Sequence, residues 1–372
     1  MLNIKSANAS GSDANSAVEK IVNDIMQDQA KLVLFFASTK YDFNLVSKLM
    51  KENFPDIDVI GCTTSGEIGP QGFVEASISA MSIAADDFET STYMMKNIRN
   101  KAILAKNDLI KAGEKIGLNT YDADNGFILT LIDSMQGAEE RVMYVLGSTF
   151  VNLPIVGGSS ADDLKFKETF VSANGEVSND AAIITFVKTK KKFFLYKENI
   201  YVPTDIEFSV TKADVNNRMV MEFDGKPAAE EYAKALGVTI EELPNCFASN
   251  PLGRLISDSV WISTPVSVVD GKSITIYSAI AQNTTVKILK PIDTVTEAKK
   301  TVEVIKQNLP DCKGVILFNC TYRYLQLKKE NTLSTIFDEF SNCGAVCGFN
   351  TYGEQLNKLH INQTLTLIAF GE

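Results

Sequence analysis

Two stretches of the chain set small hydroxyl side chains, bare backbone and a carboxylate in one tight frame. Gly61-Cys62-Thr63-Thr64-Ser65-Gly66-Glu67 and Gly348-Phe349-Asn350-Thr351-Tyr352-Gly353-Glu354 share the pattern G-x-x-T-x-G-E, 287 positions apart. Glycines leave successive N–H groups uncovered, and such groups can converge on an anion such as a carboxylate. A glutamate closing the same turn can take an ammonium. Thr63, Thr64, Ser65 and Glu67 in one copy, with Thr351, Tyr352 and Glu354 in the other, could therefore clasp a zwitterion. The alternative is that these side chains hydrogen-bond the amides of their own turns and only hold them shut.

Four further groups of residues carry chemistry. Gly157-Gly158-Ser159-Ser160 followed by Asp162-Asp163 repeats the combination of bare amides and carboxylates. Arg323 follows a strand-like run that ends near Phe318, with Asn319 and Cys320 at the same strand end, and its guanidinium offers a bidentate fork to a ligand carboxylate. Cys320 and His360, the only histidine, could make a thiolate nucleophile, although a buried inert cysteine is the commoner state. Cys343 and Cys347 form a C-x₃-C pair that supplies two of the four ligands a zinc site needs, so no metal is expected there and Cys347 reads as strand packing. Trp261 reads as core.

The elements that must position these residues recur. Apolar runs Val33–Phe36 and Val315–Phe318 read as central strands, each followed by a helix-like segment and then by an apolar run into the first glycine of the turn. New strands start at Ile78 and Leu365, at matching distances. A third, looser copy runs from the strand Phe127–Ile132 through a helix at Ala138–Leu146 to Pro154-Ile155-Val156-Gly157-Gly158. Ser12 or Asp13 can cap a first helix and Asp42 a second. Ala76–Ile83 and Thr90–Met95 read as antiparallel strands. Asn174-Gly175 and Asp270-Gly271 mark hairpins. The pattern predicts an α/β (α+β) protein: mixed sheets flanked by helices, in two pseudo-symmetric halves around a central cleft that would hold the ligand.

With 372 residues the chain can form two domains or one duplicated body. A net charge of -10 and a pI near 4.9 argue against nucleic acid or an anionic membrane as partner. The lysine run 188–192 reads as a solvated strand edge. No apolar run approaches the ~20 residues needed to cross a bilayer, the start lacks a signal-peptide core, and six cysteines in this length do not make a disulfide framework. A cytoplasmic protein with reduced thiols is expected.

Ile60-Gly61-Cys62-Thr63-Thr64-Ser65-Gly66-Glu67, Pro154-Ile155-Val156-Gly157-Gly158, Asn319-Cys320-Thr321-Tyr322-Arg323, and Gly348-Phe349-x-Thr351-Tyr352-Gly353-Glu354 with His360-x-Asn362-Gln363-Thr364 together resemble the FIST (F-box and intracellular signal transduction) sensory family. The resemblance covers nearly the whole chain from Ala30. It implies a helical segment over 1–29, an N-terminal FIST domain over 30–215 and a C-terminal one over 216–372. It further implies a non-enzymatic intracellular input module that binds a small ligand, an amino acid or similar metabolite, and that signals through a separate output protein. No cofactor is expected; the alternatives are a haem-binding gas sensor using His360, as some FIST-like proteins are described, or a Cys320/His360 thiol enzyme.

Overall fold

A computed structural model describes residues 1–120, 125–256 and 259–372. The chain forms two compact units, one of Met1–Glu198, Ala298–His360 and Leu365–Glu372, the other of Asn199–Glu297 and Ile361–Thr364. Most of the second unit, Asn199–Glu297, is thus an insertion in the first.

The first unit is built from three copies of one plan. The first copy opens with strand β1 (Asn3–Ala9) and helix α1 (Ala14–Ile25). Asp13 caps α1 by accepting from the Ser16 N–H at 2.9 Å, and its apolar face, Val18, Ile21, Val22 and Ile25, is buried. Next come β2 (Ala30–Ser38), α2 (Phe43–Asn53), capped by Asp42, and β3 (Asp58–Thr64). A short hairpin, β4 (Glu67–Gly69) and β5 (Gly72–Val74), and then β6 (Ile78–Ala84) complete the copy. β2 runs parallel to β3 and antiparallel to β6, and β1 borders β6. β1 is mostly polar, so only its full pairing with β6 makes it a strand.

The second copy repeats the order: β7 (Phe88–Lys96), α3 (Ile98–Lys101), α4 (Lys106–Glu114), β8 (Gly126–Ile132), α5 (Glu139–Thr149), β9 (Ile155–Ser159), the hairpin β10 (Val171–Ala173) and β11 (Glu176–Ser178), and β12 (Ala181–Thr189). Asn174 and Gly175 join β10 to β11 with φ of 53° and 86°, as a type I′ turn requires. β6 and β7, expected as two antiparallel strands, lie in different sheets, because β7 pairs with β12. The third copy starts with β13 (Lys192–Asn199). Of the lysine run, Lys190 is exposed, and Lys191, in the bend before β13, bonds Glu372 at 2.7 Å.

The insertion follows β13. It holds β14 (Tyr201–Asp214), β15 (Met219–Phe223), β16 (Lys226–Pro227), α6 (Ala228–Leu236), β17 (Leu252–Ile256), β18 (Ser259–Ser263), β19 (Pro265–Val269), β20 (Ser273–Ile276) and β21 (Thr285–Pro291), its strands forming one eight-stranded sheet. Helix α6 buries Tyr232 against Phe208, Phe223 and Phe247, and Gly237 ends it at φ 70°. Asp270-Gly271, at φ 51° and 64°, joins β19 to β20 as expected. Trp261 is half-buried rather than core.

The chain resumes the third copy with α7 (Thr294–Asn308), β22 (Cys312–Cys320), α8 (Thr321–Glu330), α9 (Leu333–Ser341), β23 (Ala345–Thr351), the hairpin β24 (Glu354–Leu356) and β25 (Leu359–Ile361), and β26 (Thr364–Gly371). The mixed sheets flanked by helices are as expected, but the looser middle copy is a full member, so the plan occurs three times.

Each copy gives its hairpin away. β4 pairs antiparallel with β23, β24 with β9, and β10 with β3. First copy to third, third to second, second to first: the exchange closes on itself, and three six-stranded sheets result, β1-β6-β2-β3-β10-β11, β25-β24-β9-β8-β12-β7 and β13-β26-β22-β23-β4-β5. Leu2, just before β1, donates its N–H to the Glu372 side chain just after β26.

Candidate functional site

The first glycine of each motif lies within a strand, not in a turn. Gly61, Gly157 and Gly348 face Phe35, Thr130 and Leu317 across parallel ladders. A Cβ on any of them would collide with the carbonyl oxygen of that neighbour. Their role is close strand approach. Gly158 is packed as tightly, since a Cβ there would lie 2.7 Å from Thr351 Cγ2 and 2.9 Å from Phe318 Cδ1.

The residue two places after each of these glycines, Thr63, Ser159 and Asn350, forms the seam with the hairpin of another copy. Ser65 N–H donates to Asn350 O at 3.1 Å and Asn350 N–H to Gly66 O at 2.8 Å. Tyr352 N–H donates to Ser159 O at 3.2 Å and Ser159 N–H to Gly353 O at 2.7 Å. Thr63 N–H donates to Phe170 O, and Phe170 N–H to Thr63 Oγ1, both at 3.0 Å. The expectation of two turns facing each other across a recess is therefore corrected: residues 61–67 and 348–354 are joined by backbone hydrogen bonds, and the amides expected to hold an anion hold one another.

The side chains close in the same way. Glu67 is fully buried, bonds the Thr64 hydroxyl, and accepts on Oε2 from Ser77 N–H at 2.9 Å and Ser77 Oγ at 2.6 Å. Burial pushes its carboxyl up to about 8, against the opposing effect of those bonds. Thr351 donates to Glu354 Oε1 at 2.5 Å in the equivalent place. Asp162 accepts the N–H groups of Phe166, Lys167 and Glu168 at 2.8, 2.7 and 3.1 Å, and the Tyr352 hydroxyl at 2.7 Å. Burial works against its charge, but these bonds outweigh it and hold the carboxyl below its usual range. The anion expected at bare amides is thus Asp162 itself. Ser159 accepts from Gln355 Nε2 at 2.8 Å.

Arg323 does clasp a carboxylate, but that of Glu198 on β13. Both are buried, and a buried guanidinium must be paired. Its Nη1 donates to Asn319 Oδ1 at 2.6 Å, Asn319 Nδ2 to Asn350 Oδ1 at 2.8 Å, and Asn350 Nδ2 to Ser65 O at 3.2 Å. The relay anchors the end of β22 to the seam and leaves Arg323 inaccessible to a ligand. Cys320, 3% exposed, lies opposite Thr351 in the ladder.

His360 does not suit a haem. Its Nδ1 is 3.1 Å from Gln355 Nε2, its Nε2 is 3.9 Å from Glu139 Oε1, and the ring edge between them backs directly on Gly353. An axial bond to iron would have to displace one of those side chains from a buried position. Among the described residues no three His, Cys, Asp or Glu side chains gather as a metal site, and no helix is long and apolar enough to cross a membrane. Cys347, in β23, is fully buried beside Ser79 as expected, and burial pushes its thiol up to about 12.

A groove lies open one strand further out. It measures about 650 Å³ and is bounded by the tip of the β4–β5 hairpin, Pro70 to Phe73, and by Lys328, Asn331, Leu333, Ser334, Phe337 and Asp338 from α8 and α9. Its size is that of a small-molecule site. Phe73 stacks on Tyr324 with centroids 6.1 Å apart, and Gly72 lies against the Phe337 ring, so the floor is aromatic. Lys328 bonds Glu75 Oε1 at 2.6 Å, and its Nζ sits 5.5 Å from the Tyr324 ring centroid. The bond to Lys328, and then that from the Tyr324 hydroxyl, hold the Glu75 carboxyl below its usual range. No side chain caps α9, so the first-turn N–H groups of Leu333 and Ser334 lie unblocked by a cap at the groove wall. Asp338 supplies a carboxylate one turn along. None of these residues stood out in the sequence; the half-buried apolar pair Leu333 and Phe337, at i and i+4, was the available signal.

Comparison with known proteins agrees with the resemblance. A model described as the FIST N domain matches residues 31–226 and one described as the FIST C domain matches 228–357. An uncharacterised protein of Methanocaldococcus jannaschii is 30% identical over 214 residues, 56% of this chain and 41% of that protein, so the chain spans under half the length of this relative. Among solved structures, T. maritima PurL complexed with ADP aligns over 100% of this chain and 71% of its own at 8% identity and a TM-score of 0.22. Phosphoribosylformylglycinamidine synthase II of Thermotoga maritima aligns over 100% and 72% at 9% identity and 0.21. Scores this low bear on neither fold nor function. Matched by its two family models from residue 31 to residue 357, the chain belongs to the FIST family, whose domains are sensor domains of signal transduction.

Proposed function

We propose that the protein senses a small amphoteric metabolite, an amino acid with an apolar side chain in the first instance, in the groove between the β4–β5 hairpin and helices α8 and α9. It acts by binding and not by catalysis, inside the cell, and passes its state to a separate signalling protein. One observation carries the reading: a groove of small-molecule size combines an aromatic floor, Phe73 and Phe337, with a cation, Lys328, and an anion, Asp338. A carboxylate suits Lys328 and the α9 amides, an ammonium suits Asp338, and an apolar side chain suits the rings. Binding would shift whatever equilibrium the hairpin and the helices share only as far as it distinguishes their arrangements.

Thermal-shift and calorimetric titration with the twenty amino acids tests this. A specific ligand at a hundred times its Kd stabilises by about 2.7 kcal/mol and raises Tm accordingly. Lys328→Ala should weaken it about tenfold, equivalent to roughly 1.4 kcal/mol, and Phe337→Ala at least as much. No shift with any amino acid at millimolar concentration would overturn the ligand class. A shift indifferent to both substitutions would remove the ligand from this groove.

A further inference from the structure

Two cysteines at the base of the third copy are neighbours for a reason written in the backbone. Cys312 opens β22 and Cys343 stands two residues before β23. The parallel ladder starts at Gly314 and Ala345, and the two cysteines stand two residues before each of these, Cys343 in the turn that leads from α9 into β23. Gly344 tightens that approach: its φ is +96°, and a Cβ there would collide with the Lys313 carbonyl. Neighbouring strands run about 4.8 Å apart, inside the Cα separation that a disulfide spans. The two thiols lie close enough to shift one another's titration, and the Cys312 thiol donates to Gly314 O at 3.7 Å. Cys343 is fully buried, whereas Cys312 is only partly buried, and Lys306 of α7 contributes positive charge to both.

We propose that Cys312 and Cys343 are a peroxide-responsive dithiol, in which Cys312 is oxidised first and Cys343 resolves it to a disulfide. The division of labour follows from the environment. The neighbouring Cys343 thiol, with the surrounding backbone and Lys306, holds Cys312 below the usual thiol range against the opposing effect of burial. The neighbouring Cys312 sulfur and burial push the Cys343 thiol up and keep it protonated. In the first step the Cys312 thiolate attacks one oxygen of hydrogen peroxide; the S–O bond forms, the O–O bond breaks, and the departing hydroxide takes a proton to become water. In the second, Cys343 sulfur attacks the Cys312 sulfenic sulfur; the S–S bond forms, the S–O bond breaks, and the hydroxyl leaves as water with the Cys343 proton. Two thiols are oxidised, and one peroxide is reduced to two waters. The bond closes a loop that carries α8 and α9.

The test is oxidation of the intact, reduced protein with hydrogen peroxide, read by thiol titration, intact mass and non-reducing peptide mapping. Two of the six thiols should disappear with a loss of about 2 Da, in a single cross-linked peptide joining Cys312 to Cys343 that dithiothreitol reverses. Cys343→Ala should strand Cys312 as a sulfenic acid that dimedone traps, and Cys312→Ala should leave Cys343 unoxidised. Retention of all six thiols, a cross-link between other cysteines, or dimedone capture at Cys343 ahead of Cys312 would each overturn the proposal. The mapping of the unsubstituted protein decides by itself if either variant does not fold.

Discussion

Glu67 shows what a carboxyl does when a seam closes over it. The folded protein keeps its proton up to about pH 8, whereas the unfolded chain releases it near 4.5. The folded state therefore binds the extra proton between these values. This group takes nothing from stability below pH 4.5, subtracts progressively from there to pH 8, and subtracts fully above. Glu67→Gln keeps an acceptor for the Ser77 donors and removes the charge. Its Tm should match that of the natural protein near pH 4.5 and exceed it increasingly toward pH 8, as thermal melts across that range would record. Glu67→Ala instead leaves the Ser77 N–H, the Ser77 hydroxyl and the Thr64 hydroxyl short of a partner and should cost about 2–4 kcal/mol in denaturant unfolding. Arg323 teaches a related point. Its chemistry as a carboxylate fork was legible from its type and its place after a strand; that the carboxylate belongs to Glu198, 125 positions away, was not, because nothing local records which residue a fold will bring to a guanidinium.

At the level of the element, Gly61, Gly157 and Gly348 fix the spacing of the three parallel strand pairs. Gly157→Ala would press a methyl group into the Thr130 carbonyl, backbone against backbone, and should lower stability by about 2–4 kcal/mol with no change in ligand affinity at the groove. Urea unfolding beside the binding titration separates the two effects. Much at this scale was readable: caps at Asp13 and Asp42, hairpins at Asn174-Gly175 and Asp270-Gly271, and the strands that restart at Ile78 and near Leu365 all rest on short-range rules of pattern and turn chemistry. β1 was not, since Asn3–Ala9 is a strand only because β6 is there to pair with it. The partners of the hairpins escaped for the same reason. A segment such as β4 carries no mark that it belongs to β23 and not to its own copy.

Across the whole molecule the sequence disclosed repetition but not its closure. Two strong copies and a loose one became three equal members once the second copy was seen to give β10 to β3 and to receive β24 on β9. Nor did the sequence pattern reveal that residues between β13 and α7 interrupt the third copy. The open groove was invisible for a further reason: it is formed by a hairpin from one copy and two helices from another, and its residues are common types at unremarkable spacing.

The contact between Leu2 and Glu372 gives the circular trade of hairpins a covalent counterpart. A peptide linker of a few residues should join these ends without strain, and a new start cut at exposed Lys190, in the bend between β12 and β13, would yield a permuted polypeptide ordered third copy, first copy, second copy. Such a permutant should fold with an unchanged circular dichroism spectrum and a Tm within a few degrees of the parent, whereas a break inside β23 should not be tolerated. Sequence order and spatial order would then have been uncoupled, leaving the cycle indifferent to where translation begins.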